Sequence, residues 1–414
     1  MKHSSRPTLL ILTSSFPSSP GDETCGYVRD FARALAKDFC VEVLAPPDER
    51  ASEWSNDVFK LKRSRSVVPF EFNSFQSSGD LNQLSNAGIW LKLRAVPSLV
   101  HFLGTALMLS LKADVVCSHW LIPSGFAGAL ICRIFGKPHI AIEHSGALHF
   151  LLRTRTGRLI ARFIVSNSER VVVVSRDLER KLISICPGAR NKIEVIPMGF
   201  KQQSANDHKF VPAQSDSESR TILFIGRLTE IKGLDFLLTA MKVMKDVRLI
   251  VAGDGDARPA LERLARKLSV SATFLGQVGT REKARLLSSC DAVVIPSRVL
   301  ADGRTEGTPV VCLEALAAGC IVVAAKAGGI ADVIVDGQNG LLFEPGDHQM
   351  LREKLTRALN EDHLRQTLSE NARRSAECYR WSRLGPQFAK LISNVSLENG
   401  QHSNKRIQSS IVFE

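Results

Sequence analysis

The sequence predicts two doubly wound α/β domains, each a parallel sheet covered by helices. Three observations predict it. Short apolar runs alternate with amphipathic helical stretches along nearly the whole chain, the pattern that builds βαβ units. One stretch, residues 201–219 (KQQSANDHKFVPAQSDSES), loses its hydrophobic content abruptly between two such alternating halves. The chain's 414 residues, 44% hydrophobic and 23% charged, suffice for two domains that each bury a core.

The elements follow in order. Residues 8–13 (TLLILT) form a continuous apolar run, which marks a strand buried on both faces of its sheet. A Ser/Pro/Gly-rich loop, 14–26, leads to a helix at 27–37 with apolar residues at 27, 28, 31, 34 and 35, the spacing of one helix face. A strand at 41–45 completes a βαβ unit and so implies a parallel sheet. Residues 49–85 are rich in Ser and charge and carry no assignable element. The longest apolar stretch, 95–111, is interrupted by Pro97, Ser98, His101 and Ser110. A membrane-spanning helix needs about 20 predominantly apolar residues, so this helix is expected to pack inside a domain. No transmembrane segment and no secretory signal is expected. Strands at 114–118, 138–142, 170–174 and 192–196 extend the sheet, with a helix at 125–135. Past the linker, strands at 221–225, 247–252, 273–275, 292–295 and 320–324 alternate with helices at 233–244, 258–268, 280–289 and 308–318. A closing helical region follows Asp347. The expected plan is an N-terminal domain over 1–200, a linker over 201–219, a C-terminal domain over 220–380, and a polar, mobile tail over 399–414. Two doubly wound domains put a ligand cleft between the carboxyl ends of their sheets.

Charge and cysteine usage narrow the class. The net charge of +12 is uneven, residues 1–210 holding 27 Lys and Arg against 18 Asp and Glu. Basic clusters stand at 60–65 (KLKRSR) and at Arg153, Arg155, Arg158 and Arg162. They read either as solvated surface or as a half that meets an anionic leaflet or lipid phosphate. Nucleic acid is not expected as a partner, because no finger, RNP or basic-zipper pattern occurs. Nine cysteines without a C-x-x-C pair argue against a disulfide framework and a structural zinc site, and suit a reducing compartment.

Four motifs carry chemistry. In 306–314 (EGTPVVCLE), Glu306 and Glu314 stand with seven residues between them. Thr308-Pro309 reads as a helix start, the threonine as cap and the proline at the first helical position. Glu306 then lies beside a helix N-terminus, which suits an anionic phosphate, and Glu314 lies about two turns along. The bland alternative is an acid before a helix and an ordinary helical glutamate. In 224–233 (FIGRLTEIKG), a strand ends at Gly226, where the missing Cβ permits close backbone approach, and Arg227 and Lys232 follow. Two cations at that edge suit a diphosphate, the arginine as a fork and the lysine as a point charge. In 143–146 (EHSG), His144 follows a strand and suits a substrate hydroxyl or carbonyl, with His119, at the end of the neighbouring strand, competing for the role. The loop 16–26 (FPSSPGDETCG) joins the first strand to its helix, where a glycine turn can approach a phosphate; it contains neither G-x-G-x-x-G nor a Walker A sequence. Glycine turns at 252–255 (AGDG) and 327–330 (AGGI) also follow strands and serve either a ligand or the turn itself.

In order, G-R-L-x-x-x-K-G, A-G-D-G, P-S, E-x7-E, E-A-L-A-A-G, G-G-I and D-G-x-N-G-L-L-F-x-P-G-D run from Gly226 to Asp347. This series resembles the family 4 retaining glycosyltransferases, whose GT-B fold pairs two Rossmann-like domains. The N-terminal half matches through its strand–loop–helix opening, S-H-W-L-I-P-S-G and E-H-S-G. The resemblance implies transfer of a sugar from a nucleotide diphospho-sugar, UDP- or GDP-linked, to an acceptor hydroxyl, with retention and without a metal or resident cofactor. It implies that Arg227 and Lys232 hold the diphosphate, Glu306 lies near the donor sugar, and Glu314 meets the nucleotide ribose. Gly226, Gly253, Gly307 and Thr308 would face the donor. His144 would lie close to the transferring sugar and Gly26 under the phosphates, although the family's Gly-Gly is here Cys25-Gly26. The helix opening at Trp381-Ser382, over 381–398, resembles the segment that returns to the first domain. A glycan or lipid-linked acceptor in polysaccharide, lipopolysaccharide or glycolipid synthesis follows, with a cytoplasmic protein peripheral to the inner face of the membrane. The rival readings are a sugar-nucleotide epimerase of the same fold and a catalytically silent partner of another transferase.

Overall fold

In the computed structural model, residues 6–48, 54, 57–65, 89–201 and 220–411 are described, the side chains of 89–95 and 398–411 excepted. The expected linker, Lys201 apart, lies outside them. The chain divides into unit 1, Met1–Pro197 with Trp381–Glu414, and unit 2, Met198–Arg380.

Unit 1 holds seven parallel strands in the order β3-β2-β1-β4-β5-β6-β7. They are β1 (Thr8–Thr13), β2 (Cys40–Ala45), β3 (Lys60–Arg63), β4 (Val115–His119), β5 (His139–Glu143), β6 (Arg170–Val173) and β7 (Ile193–Val195). The helices are α1 (Gly26–Leu35), α2 (Ile89–Ser110), α3 (Phe126–Phe135), α4 (Gly146–Leu152), α5 (Arg155–Ser166) and α6 (Arg176–Ile185). Strand order reverses between β1 and β4, the switch point at which doubly wound sheets open for ligands. Burial on both faces explains why these strands read as unbroken apolar runs.

Three local readings change. The basic run at 60–65 contains β3, an edge strand whose exposed lysines, Lys60 and Lys62, oppose pairing with another chain. Arg63 donates to the carbonyls of Pro17 (2.5 Å) and Pro46 (3.2 Å), so part of that charge is spent inside the unit. Arg158 and Arg162 likewise donate to the carbonyls of Leu152 and Ile185, at 3.1 and 2.9 Å. Helix α2 buries Phe102, Thr105 and Ala106, but leaves Val96, Leu99, Val100 and Met108 exposed. Among the described residues no helix is long and apolar enough to cross a membrane. The last helix, α14 (Trp381–Ile411), runs past residue 398, because no proline after Pro386 stops it. It packs on α1: Trp381 and Phe388 stand 5.9 and 5.0 Å from Phe31, ring to ring.

Unit 2 holds six parallel strands in the order β10-β9-β8-β11-β12-β13. They are β8 (Arg220–Ile225), β9 (Val247–Ala252), β10 (Ala272–Gly276), β11 (Ala292–Ile295), β12 (Val322–Ala325) and β13 (Leu341–Phe343). The helices are α7 (Leu234–Met241), α8 (Arg258–Lys267), α9 (Thr280–Ser289), α10 (Val310–Ala318), α11 (Ile330–Val333), α12 (His348–Asn360) and α13 (Asp362–Ala376). Alternate residues of β8 feed two apolar layers, Ile222 and Phe224 on one face and Leu223 on the other. The switch point lies between β8 and β11.

Candidate functional site

Two loops leave the carboxyl ends of β8 and β11, the strands that flank unit 2's switch point. Gly233, at φ +66°, lets them meet: a Cβ there would stand 2.0 Å from the Pro296 carbonyl oxygen. The Arg298 N–H donates to the Ile231 carbonyl at 2.8 Å and ties the loops together. Lys232 is thereby held over Gly226, its Cδ and Cε 3.6 Å from where a Cβ of that glycine would be. Its ammonium meets Glu306 Oε1 at 2.5 Å, the two side chains 20% and 9% exposed. Glu306 Oε2 is buried without a hydrogen-bond partner among the described residues. A buried acceptor left bare costs about 1–3 kcal/mol, so this oxygen is poised for a donor from outside the chain.

The glycine pair after β12 sets the height of that carboxylate. Gly328 has φ +53°, and a Cβ there would fall 1.9 Å from the Glu306 carbonyl oxygen. The Gly329 N–H donates to the Gly307 carbonyl at 2.8 Å. With this turn packed on Gly307 and Thr308, helix α10 begins one residue later than expected. Pro309, not Thr308, is its N-cap, with ψ 123°, and no side chain caps the helix. In the first turn of α10 the Cys312 N–H donates to the Pro309 carbonyl at 2.9 Å, and the Val310 and Val311 N–H groups, four and five residues beyond Glu306, make no bond to the N-cap side chain.

The remaining expected residues fall as follows. Arg227 is exposed at the start of the β8 loop. Gly253 follows β9 at φ +141°, its N–H on the Gly276 carbonyl at 2.7 Å; a Cβ there would fall 1.9 Å from the Gly226 carbonyl oxygen, so the missing Cβ lets the turns after β8 and β9 approach. Glu314 sits in α10 and pairs with the ammonium of Lys283, on α9, at 2.6 Å. Sequence reasoning missed Lys283, because a lysine in an amphipathic helix carries no local mark of a partner 31 residues away.

In unit 1 the matching edge is built of neutral rings. Glu143 ends β5 fully buried and accepts N–H bonds from Leu121 (3.0 Å), Ser145 (2.9 Å) and Leu148 (3.0 Å). Burial pushes its carboxyl up, and these bonds act against the shift. One carboxylate thus fixes the turn after β4 and the start of α4, on either side of His144. The His144 ring lies 4.8 Å from Trp120 and 4.9 Å from Tyr27, and its Nε2 is 2.9 Å from His119 Nδ1. Burial pushes the fully buried His119 down to about 3. His144 is held well below its ordinary value by burial and by His119. The two histidines that competed for one role are a hydrogen-bonded pair.

Gly26 opens α1 rather than a bare loop. Arg29, buried beneath it, donates to the carbonyls of Pro20 (3.0 Å) and Asp22 (3.1 Å). Cys25, in the place of the doublet's first glycine, takes the left-handed conformation, φ 52°.

Two family models match the chain: glycosyl transferases group 1 over residues 206–375, and the glycosyl transferase 4-like domain over residues 26–199. An uncharacterised glycosyltransferase of Methanocaldococcus jannaschii is 30% identical over 309 residues, 69% of this chain and 76% of that one. The D-inositol 3-phosphate glycosyltransferase of Frankia alni is 30% identical over 298 residues, 65% of this chain and 71% of that one. Among solved structures, Anabaena HepE in complex with UDP-glucose has the same fold, with a TM-score of 0.71 at 19% identity over 94% of this chain and 99% of that one.

Proposed function

Because the chain belongs to the group 1 glycosyltransferase family, we propose that it moves a sugar from a nucleotide diphospho-sugar to an acceptor hydroxyl with retained anomeric configuration. The observation that carries this reading is the Lys232–Glu306 pair, its second carboxylate oxygen bare, beside the uncapped start of α10. The bond from the anomeric carbon to phosphate oxygen breaks with its electron pair leaving on the diphosphate. Lys232, Arg227 and the first N–H groups of α10 take up that charge where it develops. Glu306 Oε2 accepts from a sugar hydroxyl, and Glu314, oriented by Lys283, accepts from the ribose. The acceptor oxygen attacks the same face of the sugar, and its proton passes to the departing phosphate oxygen. His144 donates to a sugar hydroxyl. In this scheme side chains carry the charge, with no resident cofactor or metal.

UDP is the first nucleotide to test, since the Anabaena neighbour was solved with UDP-glucose. Ligand-induced thermal stabilisation with UDP, GDP, ADP and their sugar conjugates tests donor binding. A ligand at 100 times its Kd adds about 2.7 kcal/mol. A shift with one nucleotide, and its release from the conjugate only with an acceptor present, supports the transferase. Isomerisation of the conjugate without acceptor supports the epimerase instead, and no shift with any nucleotide overturns donor binding.

One surface favours an acceptor carried on an anionic membrane. Helix α2 exposes Val96, Leu99, Val100 and Met108, the end of α3 exposes Ile134 and Phe135, and the Lys137 ammonium, on the Ala113 carbonyl at 2.7 Å, ties the segments after the two helices together. Apolar side chains with flanking cations suit such a leaflet. Flotation with anionic vesicles, absent with neutral ones, is the expected result; equal recovery without lipid removes this reading.

A further inference from the structure

We infer that His119 is a positioning residue that holds His144 in the tautomer with its proton on Nδ1, so that His144 works as a hydrogen-bond donor. The use of that donor rests on the sugar-transfer reading; the tautomer does not.

The two imidazoles lie nearly coplanar, 7° apart, with His119 Nδ1 2.9 Å from His144 Nε2. One nitrogen donates and the other accepts, so two arrangements exist. If His144 donated, His119 would carry its own proton on Nε2. That nitrogen is buried without a hydrogen-bond partner among the described residues; the Phe31 ring packs on His119, centroids 4.8 Å apart and the planes at 80°. A ring face replaces a lost acceptor only weakly. If His119 donates, its buried Nε2 is a bare lone pair, and orphaned acceptors are tolerated better than orphaned N–H groups. The His119 Nδ1–H therefore points at His144 Nε2. In a neutral ring the remaining proton must then sit on His144 Nδ1, since the hydrogen bond at one nitrogen fixes the state of the other. Neither ring protonates near neutral pH, because burial holds both down.

The backbone supports the pairing. His119 is the last residue of β4 and Glu143, just before His144, the last of β5; the two strands adjoin in register. Glu143, holding the N–H groups of Leu121 and Ser145, fixes the backbone of both turns and so the positions from which the two rings meet. His144 Nδ1 makes no hydrogen bond among the described residues, which leaves its N–H for a ligand.

Two-bond 1H–15N correlation on the 15N-histidine-labelled full chain at pH 7.5 reads the tautomers directly, with signals assigned by their loss in His144→Gln and His119→Asn. Nδ1–H on both rings is expected; Nε2–H on His144 overturns the inference whatever the enzyme's activity. Two variants test the positioning role. The amide of His119→Asn places an N–H where Nδ1 stood, so His144 keeps Nδ1–H and kcat stays within a few fold. The carboxylate of His119→Asp accepts only, so His144 moves its proton to Nε2 and kcat falls about 10²-fold at little-changed donor KM. Equal losses in the two variants, with the tautomer unmoved, overturn the role. Absent donor turnover in the native chain, with Nδ1–H present, counts against the sugar-transfer reading and leaves the tautomer standing.

Discussion

In unit 2 the loops at the switch point meet through an ion pair, Lys232 with Glu306, and helices α9 and α10 through a second, Lys283 with Glu314; in unit 1 the corresponding edge is closed by imidazole rings, His119 and His144, over the buried Glu143. The two sheets share their order about the switch point, so the difference lies in the side chains placed there and not in the topology. Each of these ion pairs has an opposite charge within 2.6 Å and some solvent to offset its desolvation. The fully buried His119 and the part-buried His144 meet the same desolvation by staying neutral. An edge of ions answers a leaving diphosphate; an edge of neutral rings orients hydroxyl groups without competing for that charge.

Acid is expected to break the comparison most forcefully. His119 and His139 are pushed down to about 3 by burial, and His144 also lies well below its ordinary value. Unfolded histidines take up protons near pH 6.5, so between there and about 3 the unfolded chain binds more protons than the folded one. Stability is therefore lost as pH falls through this window, by about 1.4 kcal/mol per pH unit for each histidine. Glu143, raised by burial, acts oppositely from its ordinary value near 4.5 upward to its raised one, and so offsets part of the decline there. Hydrogen exchange at pH 7 and pH 5 is expected to show protection falling in unit 1 peptides around β4, β5 and α4 before those of unit 2. Loss in both units together would mean that the buried histidines are not what acid attacks.

The ionic edge comes next. Lys232→Ala and Glu306→Gln should each lower kcat by about 10²- to 10³-fold, the range for lost transition-state electrostatics. Removing one partner also strands the other, so each variant needs a melting curve beside its rate. Unchanged rates in two folded variants would remove the pair from the chemistry.

Lys283→Met should do less. It frees Glu314 from its cation without touching the diphosphate cations, so donor KM should rise about tenfold while kcat changes little. An equal fall in kcat with KM steady would mean that the α9–α10 pair acts on the reacting atoms rather than on nucleotide binding.

What the sequence disclosed follows from how far each partner lies along the chain. Lys232 was visible because it follows a strand's carboxyl end between glycines, and Glu306 because it stands before a Gly-Thr-Pro helix start, where loop composition betrays close approach. The pairing of His119 with His144 was hidden, since it depends on β4 and β5 being neighbours in the sheet. Strand β3 escaped because an edge strand defended by lysines reads as a charge run. Thr308-Pro309 looked like a cap and a first turn, but packing of the Gly328-Gly329 turn, which is tertiary, moved the helix start to Val310. Gly253 read as a place of close backbone approach, but that it approaches the Gly226 carbonyl depends on β8 and β9 being neighbours in the sheet.

The smallest expected effect concerns Cys25. Its left-handed backbone, φ 52° and ψ 29°, costs a residue with a Cβ about 1–2 kcal/mol relative to right-handed conformations. Cys25→Gly removes that penalty but adds about 0.5–1 kcal/mol of chain entropy to the unfolded state. The side chain is only half-buried, and the Tyr27 hydroxyl reaches its sulfur at a long 3.9 Å, so little packing is lost. The two terms nearly cancel, and Tm should stay level or rise by a few degrees at most. The informative reading is donor KM measured beside it. A fall in KM with Tm steady would place the phosphates against this turn, where a second glycine lets them come closer. An unchanged KM would confine Gly26 to the start of α1 and leave the phosphates to the ionic edge of unit 2.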